Sequence, residues 1–175
     1  MARRTRDALG ETYAVISSIG VYANVLGCTS INEDSLRSLE EAIDNAHLFG
    51  CGIVSCFAGR VSNASVAASL PRFKEVFTPL VQRAKDNGVR LALENCSMGD
   101  SWTGGNWNIA LNPTAWELLF NAVPDEALGL EWEPAHQLTA LIDPIPQLRK
   151  WTKRVYHVHG KDATIAWDVI RECGI

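Results

Sequence analysis

ALGLEWEPAHQLTALIDPIPQLRKWTKRVYHVHG, residues 127–160, decides the fold. It opens on a short apolar run (127–133), passes through a short helical stretch (144–151) and ends on a second run (154–160). This reads as strand, helix, strand. Outward from it the alternation repeats. VRLALEN (89–95) is a strand, followed by a Gly/Asn/Trp-rich loop (97–112) and the helix PTAWELLFNAV (113–123). Before these, GIVSCFAGR (52–60) supplies a strand and then a helix opened by Pro71, striped by Phe73, Val76, Phe77, Leu80, Val81 and Ala84. Pro79 kinks that helix and Asn87-Gly88 ends it. A strand over 13–21 leads through a turn to a helix with Ser30 and Asn32 as candidate caps, Leu36, Leu39, Ile43 and Ala46 as its stripe and Gly50 as its stop. The last helix lies near 164–173. Five strand-then-helix units result, and MARRTRDALGETYA reads as the tail of a further helix feeding the first strand. Parallel strands need crossover connections and bury both faces, so the prediction is an α/β protein with one parallel sheet covered by helices.

Composition narrows the function. The 175 residues carry a net charge of −4, 47% hydrophobic and 21% charged side chains, the profile of one globular domain over 1–175. No apolar stretch approaches the ~20 residues of a membrane span, and an acidic balance argues against a phosphate-tracking surface. The expectations are therefore no membrane, no nucleic acid and a cytoplasmic location. Five cysteines without a C-x-x-C pair read as reduced thiols. No strand is followed by the glycine spacing of a dinucleotide or P-loop fingerprint.

Three consecutive strands end in residues that can bind a metal: Glu94 in LALENCS, Glu133 and His136 in LGLEWEPAH, and His157 and His159 in RVYHVHGKD. In parallel α/β folds the carboxyl ends of the strands share one rim, where sites assemble. Carboxylate and imidazole together suit Mn²⁺, Mg²⁺ or Co²⁺, and also Zn²⁺. His157 and His159 share one face of their strand, and the one nearer the rim is the candidate ligand. Trp102 and Trp107 in the 97–112 loop would wall a sugar as readily as pack the loop, Arg60 would meet an anionic group, and Asn24 and Asn95 would add hydrogen bonds at the rim. Trp116 reads as core, and His47 lies away from the rim.

ENCSM, GGNWNIALNPTAWELLF, LGLEWEPAH followed by IDPI, and HVHGKD resemble in order and spacing the sugar phosphate isomerase/epimerases of the xylose-isomerase-like TIM-barrel superfamily. GVYANVL and CFAGR resemble the ends of that family's third and fourth strands. The resemblance implies a partial TIM barrel of about five βα units, matching strands three to seven. The first two strands and the last, which carries the family's final Glu, would lie outside the five units. Two exposed parallel edges would remain, pointing to a fragment or to a homo-oligomer that closes them.

The same resemblance implies a divalent-metal isomerase or epimerase of a sugar or sugar phosphate, moving a proton between adjacent carbons through a metal-stabilised enediolate. Glu94, Glu133 and His159 would hold the metal, with Glu133 in a position that is usually Asp. Glu94 would also act as acid/base, His136 would touch substrate or a second metal, and Lys161 would neutralise an oxyanion or phosphate. Trp107 and Arg60 complete the expected substrate contacts. The alternatives are a catalytically silent fragment or interaction module, an inosose-dehydratase-like lyase and, against the charge balance, an abasic-site endonuclease.

Overall fold

Apolar residues at every second strand position, and striped helices between the strands, build one curved sheet in the computed structural model, which describes residues 2–10 and 12–174. The strands are β1 (Ile19–Val21), β2 (Ile53–Cys56), β3 (Arg90–Glu94), β4 (Leu128–Trp132) and β5 (Val155–Val158). They are all parallel and lie side by side in sequence order. Val54, Cys56, Leu91, Leu93, Leu128, Leu130 and Trp132 point outward into a core shared with the helices α2 (Ser30–Asn45), α3 (Val66–Asp86) and α4 (Pro113–Ala122). Phe73, Phe77, Trp116 and Leu119 fill that layer and are fully buried.

The opposite, concave face is polar. Ser55, Ala92, Glu94, Gly129 and Glu131 alternate onto it. Tyr22, just after β1, donates its hydroxyl to Glu131 on β4 at 2.7 Å, and Ser17, just before β1, lies 3.0 Å from the ring of His157 on β5. Contacts from the first strand to the fourth and fifth mean that the sheet curls around this face, as part of a barrel does. Between β4 and β5 the register slips: Leu130 faces Val155, but Glu131 faces His157. Tyr156 is the extra residue, and a side chain at Gly129 would collide with its ring and with the Arg154 carbonyl. The bulge turns His157 toward Glu131.

Local details depart from the sequence expectations in four places. Only Ile19–Val21 of the 13–21 run pairs with β2, and Tyr13 and Val15 stay exposed. Helix α2 is capped by Thr29, whose hydroxyl and the Asn32 side chain form a reciprocal capping box. Helix α3 begins at Val66, five residues before Pro71, because the Ser65 side chain accepts the Ala68 N–H and starts it there; Pro71 and Pro79 both lie inside. A short helix α5 (Pro134–Thr139), with its proline at the first turn, follows β4 before α6 (Pro144–Trp151). Helices α1 (Ala2–Leu9) and α7 (Trp167–Cys173) bracket the chain.

Candidate functional site

The last residues of β3, β4 and β5 and those just beyond them converge at one rim. Glu94 ends β3 and is 6% exposed; Glu131 in β4 and Glu133 just beyond it are both 0% exposed. His136 is one turn into α5, and His159 and Lys161 follow β5. Three buried carboxylates on one concave face repel each other unless cations gather among them.

Glu133 is held through its backbone. The Asn95 side chain accepts the Glu133 N–H at 2.7 Å and donates to its carbonyl at 2.8 Å, tying β3 to β4 at the rim. One carboxylate oxygen of Glu133, Oε2, meets His136 Nε2 at 2.6 Å and Lys161 Nζ at 2.9 Å. The other, Oε1, is buried with no hydrogen-bond partner. Ligand atoms of Glu94, Glu133 and His136 lie within 4.8 Å of one another. His159 Nδ1 stands beside them, 3.1 Å from Glu94 Oε1. Burial, and then the charge of Glu131, push the Glu94 carboxyl above the usual range, against the pull of His159, Lys161 and His136. The bond to Glu133 holds the Lys161 ammonium above its ordinary value, outweighing desolvation.

Glu131 was not among the residues singled out from sequence. It accepts Tyr22 Oη on Oε2, while His157 Nδ1 at 2.7 Å and His159 Nε2 at 3.3 Å both face its Oε1. Burial and this bond raise the Tyr22 phenol well above its usual value. The signal was present: Glu131 and Glu133 are two apart in one extended run and share a face.

Of the residues expected at the site, Glu94, Glu133, His136, His159 and Lys161 are brought together. Trp107 is not with them. It lines a groove of about 770 Å³ with Asn24, Cys28, Ile31 and Arg72, which none of the three carboxylates lines. Arg60 is turned elsewhere: fully buried, it pairs with Asp100 at 3.2 Å and donates to the carbonyls of Gly104 and Ser101. Its charge is consumed in holding the 97–112 loop, so the rim receives none of it. Asp100 also accepts the N–H groups of Asn106, Trp107 and Asn108. Asn108 in turn donates to the carbonyls of Glu94 and Cys96, which connects the loop to the site. Asn24 bridges the Arg60 and Asn106 carbonyls at the same loop.

The donor set fits a divalent cation. Two carboxylates and one or two imidazoles are ordinary ligands for Mn²⁺ or Zn²⁺, and a 4.8 Å spread is what ligands about 2.0–2.5 Å from a common centre can span. A buried carboxylate oxygen without a donor, Glu133 Oε1, is where such an ion would attach.

Residues 1–172 match the family described as the xylose isomerase-like TIM barrel. The chain belongs to that family. It is 37% identical over 87 residues to the uncharacterized protein YfiH of Bacillus subtilis, a stretch covering 49% of this chain and 25% of YfiH. Its fold is similar to that of 3-keto-D-glucoside 4-epimerase YcjR from E. coli, with a TM-score of 0.76 and 13% identity over 98% of this chain and 71% of that one. It is also similar to the IolI protein crystallised with a zinc atom, with a TM-score of 0.69 and 15% identity over 90% of this chain and 55% of that one. The chain thus spans only part of the length of the proteins it matches. Among the described residues no helix is long and apolar enough to cross a membrane.

Proposed function

We propose that the rim binds one divalent cation and catalyses proton transfer beside a carbonyl carbon of a sugar or sugar phosphate, as an isomerase or epimerase. The observation that carries this is the unpartnered buried oxygen on Glu133, whose carboxylate stands at metal-ligand spacing from Glu94 and His136, with His159 Nδ1 3.1 Å from Glu94. Family membership supports the reaction class, and a protein of similar fold crystallised with zinc supports the cation. Glu94, Glu133 and His159 would hold the ion, with His136 beside them.

A bound cation would supply positive charge to polarise the substrate carbonyl. The remaining work falls to the chain. Glu94, whose carboxyl is pushed above the usual range by burial and the Glu131 charge, is the group suited to take up and return a proton. Lys161, 54% exposed and anchored to Glu133, offers an ammonium to a substrate oxygen or phosphate at the open side of the site. Asn95 and the Asn108-anchored loop keep the carboxylates in register. Trp107 and Arg60 fall outside this proposal, one lining a separate groove and the other paired within the loop.

The test is exchange of substrate C–H hydrogen with deuterium from D₂O across a panel of ketoses and their phosphates, with Mn²⁺ present. Exchange that disappears in Glu94→Gln, with the circular dichroism spectrum unchanged, is the expected result. Exchange retained in that variant overturns the assignment of Glu94, and metal binding without any exchange favours a silent relative.

A further inference from the structure

We propose that Glu131 is the positioning residue that sets the tautomer and ring orientation of His159, and that the Glu131–His157–His159 group is a support for the cation site above rather than a second one. The inference rests on the cation reading of the rim.

A neutral imidazole carries one N–H, and its two nitrogens then play opposite roles. In His159, Nδ1 is 3.1 Å from Glu94 Oε1 and Nε2 is 3.3 Å from Glu131 Oε1. With the proton on Nε2, the ring donates to Glu131 and its Nδ1 lone pair faces the Glu94 side, where a cation can accept it. The other tautomer sets a lone pair against the buried Glu131 carboxylate and blocks Nδ1 with a proton. Ligating histidines commonly use a carboxylate in this way to fix ring and tautomer.

Glu131 is itself held for that role. Tyr22 donates to Oε2 at 2.7 Å, His157 Nδ1 sits 2.7 Å from Oε1, and Ser17 Oγ lies 3.0 Å from the far nitrogen of His157. Ligand atoms of Glu131, His157 and His159 also lie within 4.8 Å of one another, the spacing of a second cation site. The difference lies in the unmet valences. Both oxygens of Glu131 face donors, so an ion there would have to displace them, whereas Glu133 Oε1 has none to lose.

The experiment combines Zn²⁺ titration calorimetry with ¹⁵N NMR of the histidine rings in Zn²⁺-loaded protein. Wild type should bind one ion per chain, with His159 protonated on Nε2 and zinc-bound through Nδ1. Glu131→Gln keeps the volume but loses the charge. It should bind one ion about 10–100-fold more weakly, with His159 spread over both tautomers. A residue that only filled space would leave both readouts unmoved. Three results overturn the proposal: His159 protonated on Nδ1 in loaded wild type, two ions per chain with the second lost in His157→Ala, or wild-type affinity in Glu131→Gln. If that variant does not fold, the wild-type nitrogen shifts and stoichiometry decide. Absence of Zn²⁺ binding by wild type removes the cation reading itself and this inference with it, whereas binding indifferent to Glu131 removes only this one.

Discussion

Asn95→Ala separates the scaffold of the site from its ligands. Asn95 is 1% exposed, and its amide makes both hydrogen bonds to the Glu133 backbone, at 2.7 and 2.8 Å. Removing it leaves a buried N–H and a buried carbonyl without partners, each costing about 1–3 kcal/mol. Some relaxation and water entry will recover part of this, so a total near 2–4 kcal/mol is expected. The same change frees the peptide that aims the Glu133 carboxylate, so Zn²⁺ affinity should fall by at least about tenfold, as for the loss of a supporting contact. Asn95→Asp keeps an acceptor for the N–H but sets an oxygen against the Glu133 carbonyl and adds a charge among buried carboxylates, so it should bind or fold no better than alanine. Urea denaturation gives the stability and calorimetry the affinity. Asn112→Ala, which removes the cap of α4, serves as control, losing about 1 kcal/mol with metal binding unchanged. An Asn95→Ala protein within about 0.5 kcal/mol of wild type, the size of ordinary surface effects, and with unaltered affinity would refute the reasoning.

Two further predictions concern the loop over the rim. Desolvation raises the Asp100 carboxyl, but the N–H groups of Asn108, Trp107 and Asn106 and the Arg60 guanidinium outweigh it and hold the group below the usual carboxylate range. A lowered folded-state value means stability that is present above the unfolded value near 3.9, a reference figure of about that size, and lost as pH falls through the folded one. Asp100→Asn should therefore flatten the fall in stability below about pH 4. At pH 7 it should cost about 3–5 kcal/mol by leaving buried Arg60 without its counter-charge, measurable in urea melts across pH. Gly105→Ala would drive a methyl into Asp100 and Arg60 at a φ of 151°, so it should lower the thermal midpoint by several degrees, roughly the effect of 1–2 kcal/mol in a chain of this size. An unshifted midpoint would show that the loop relaxes around the pair.

The parallel sheet was legible because each strand is a short apolar run between striped helices, as in 89–95 and 127–133. The gathering at the rim followed from polar residues recurring where those runs end. Arg60 shows what sequence leaves out: its position after β2 suggested an anion site, yet its partners lie 40 to 44 residues onward in a loop whose path no local pattern specifies. Asn95 is similar, a polar residue at the rim whose real partner is the backbone of Glu133, 38 residues away. The extent of β1 was overread because strand propensity says nothing about whether a neighbour exists to pair with. Glu131 was passed over because it precedes the strand's end by one residue, and only the curl of the sheet, which carries Tyr22 and His157 to it, reveals its neighbours.

The central claim is a cation among Glu94, Glu133 and His159. Crystals grown with Zn²⁺ and measured on both sides of the zinc absorption edge test it most directly. The account predicts one anomalous peak, about 2.0–2.2 Å from Glu133 Oε1, Glu94 and His159 Nδ1. A peak seated instead between Glu131 and His157, or none at the rim, would contradict it.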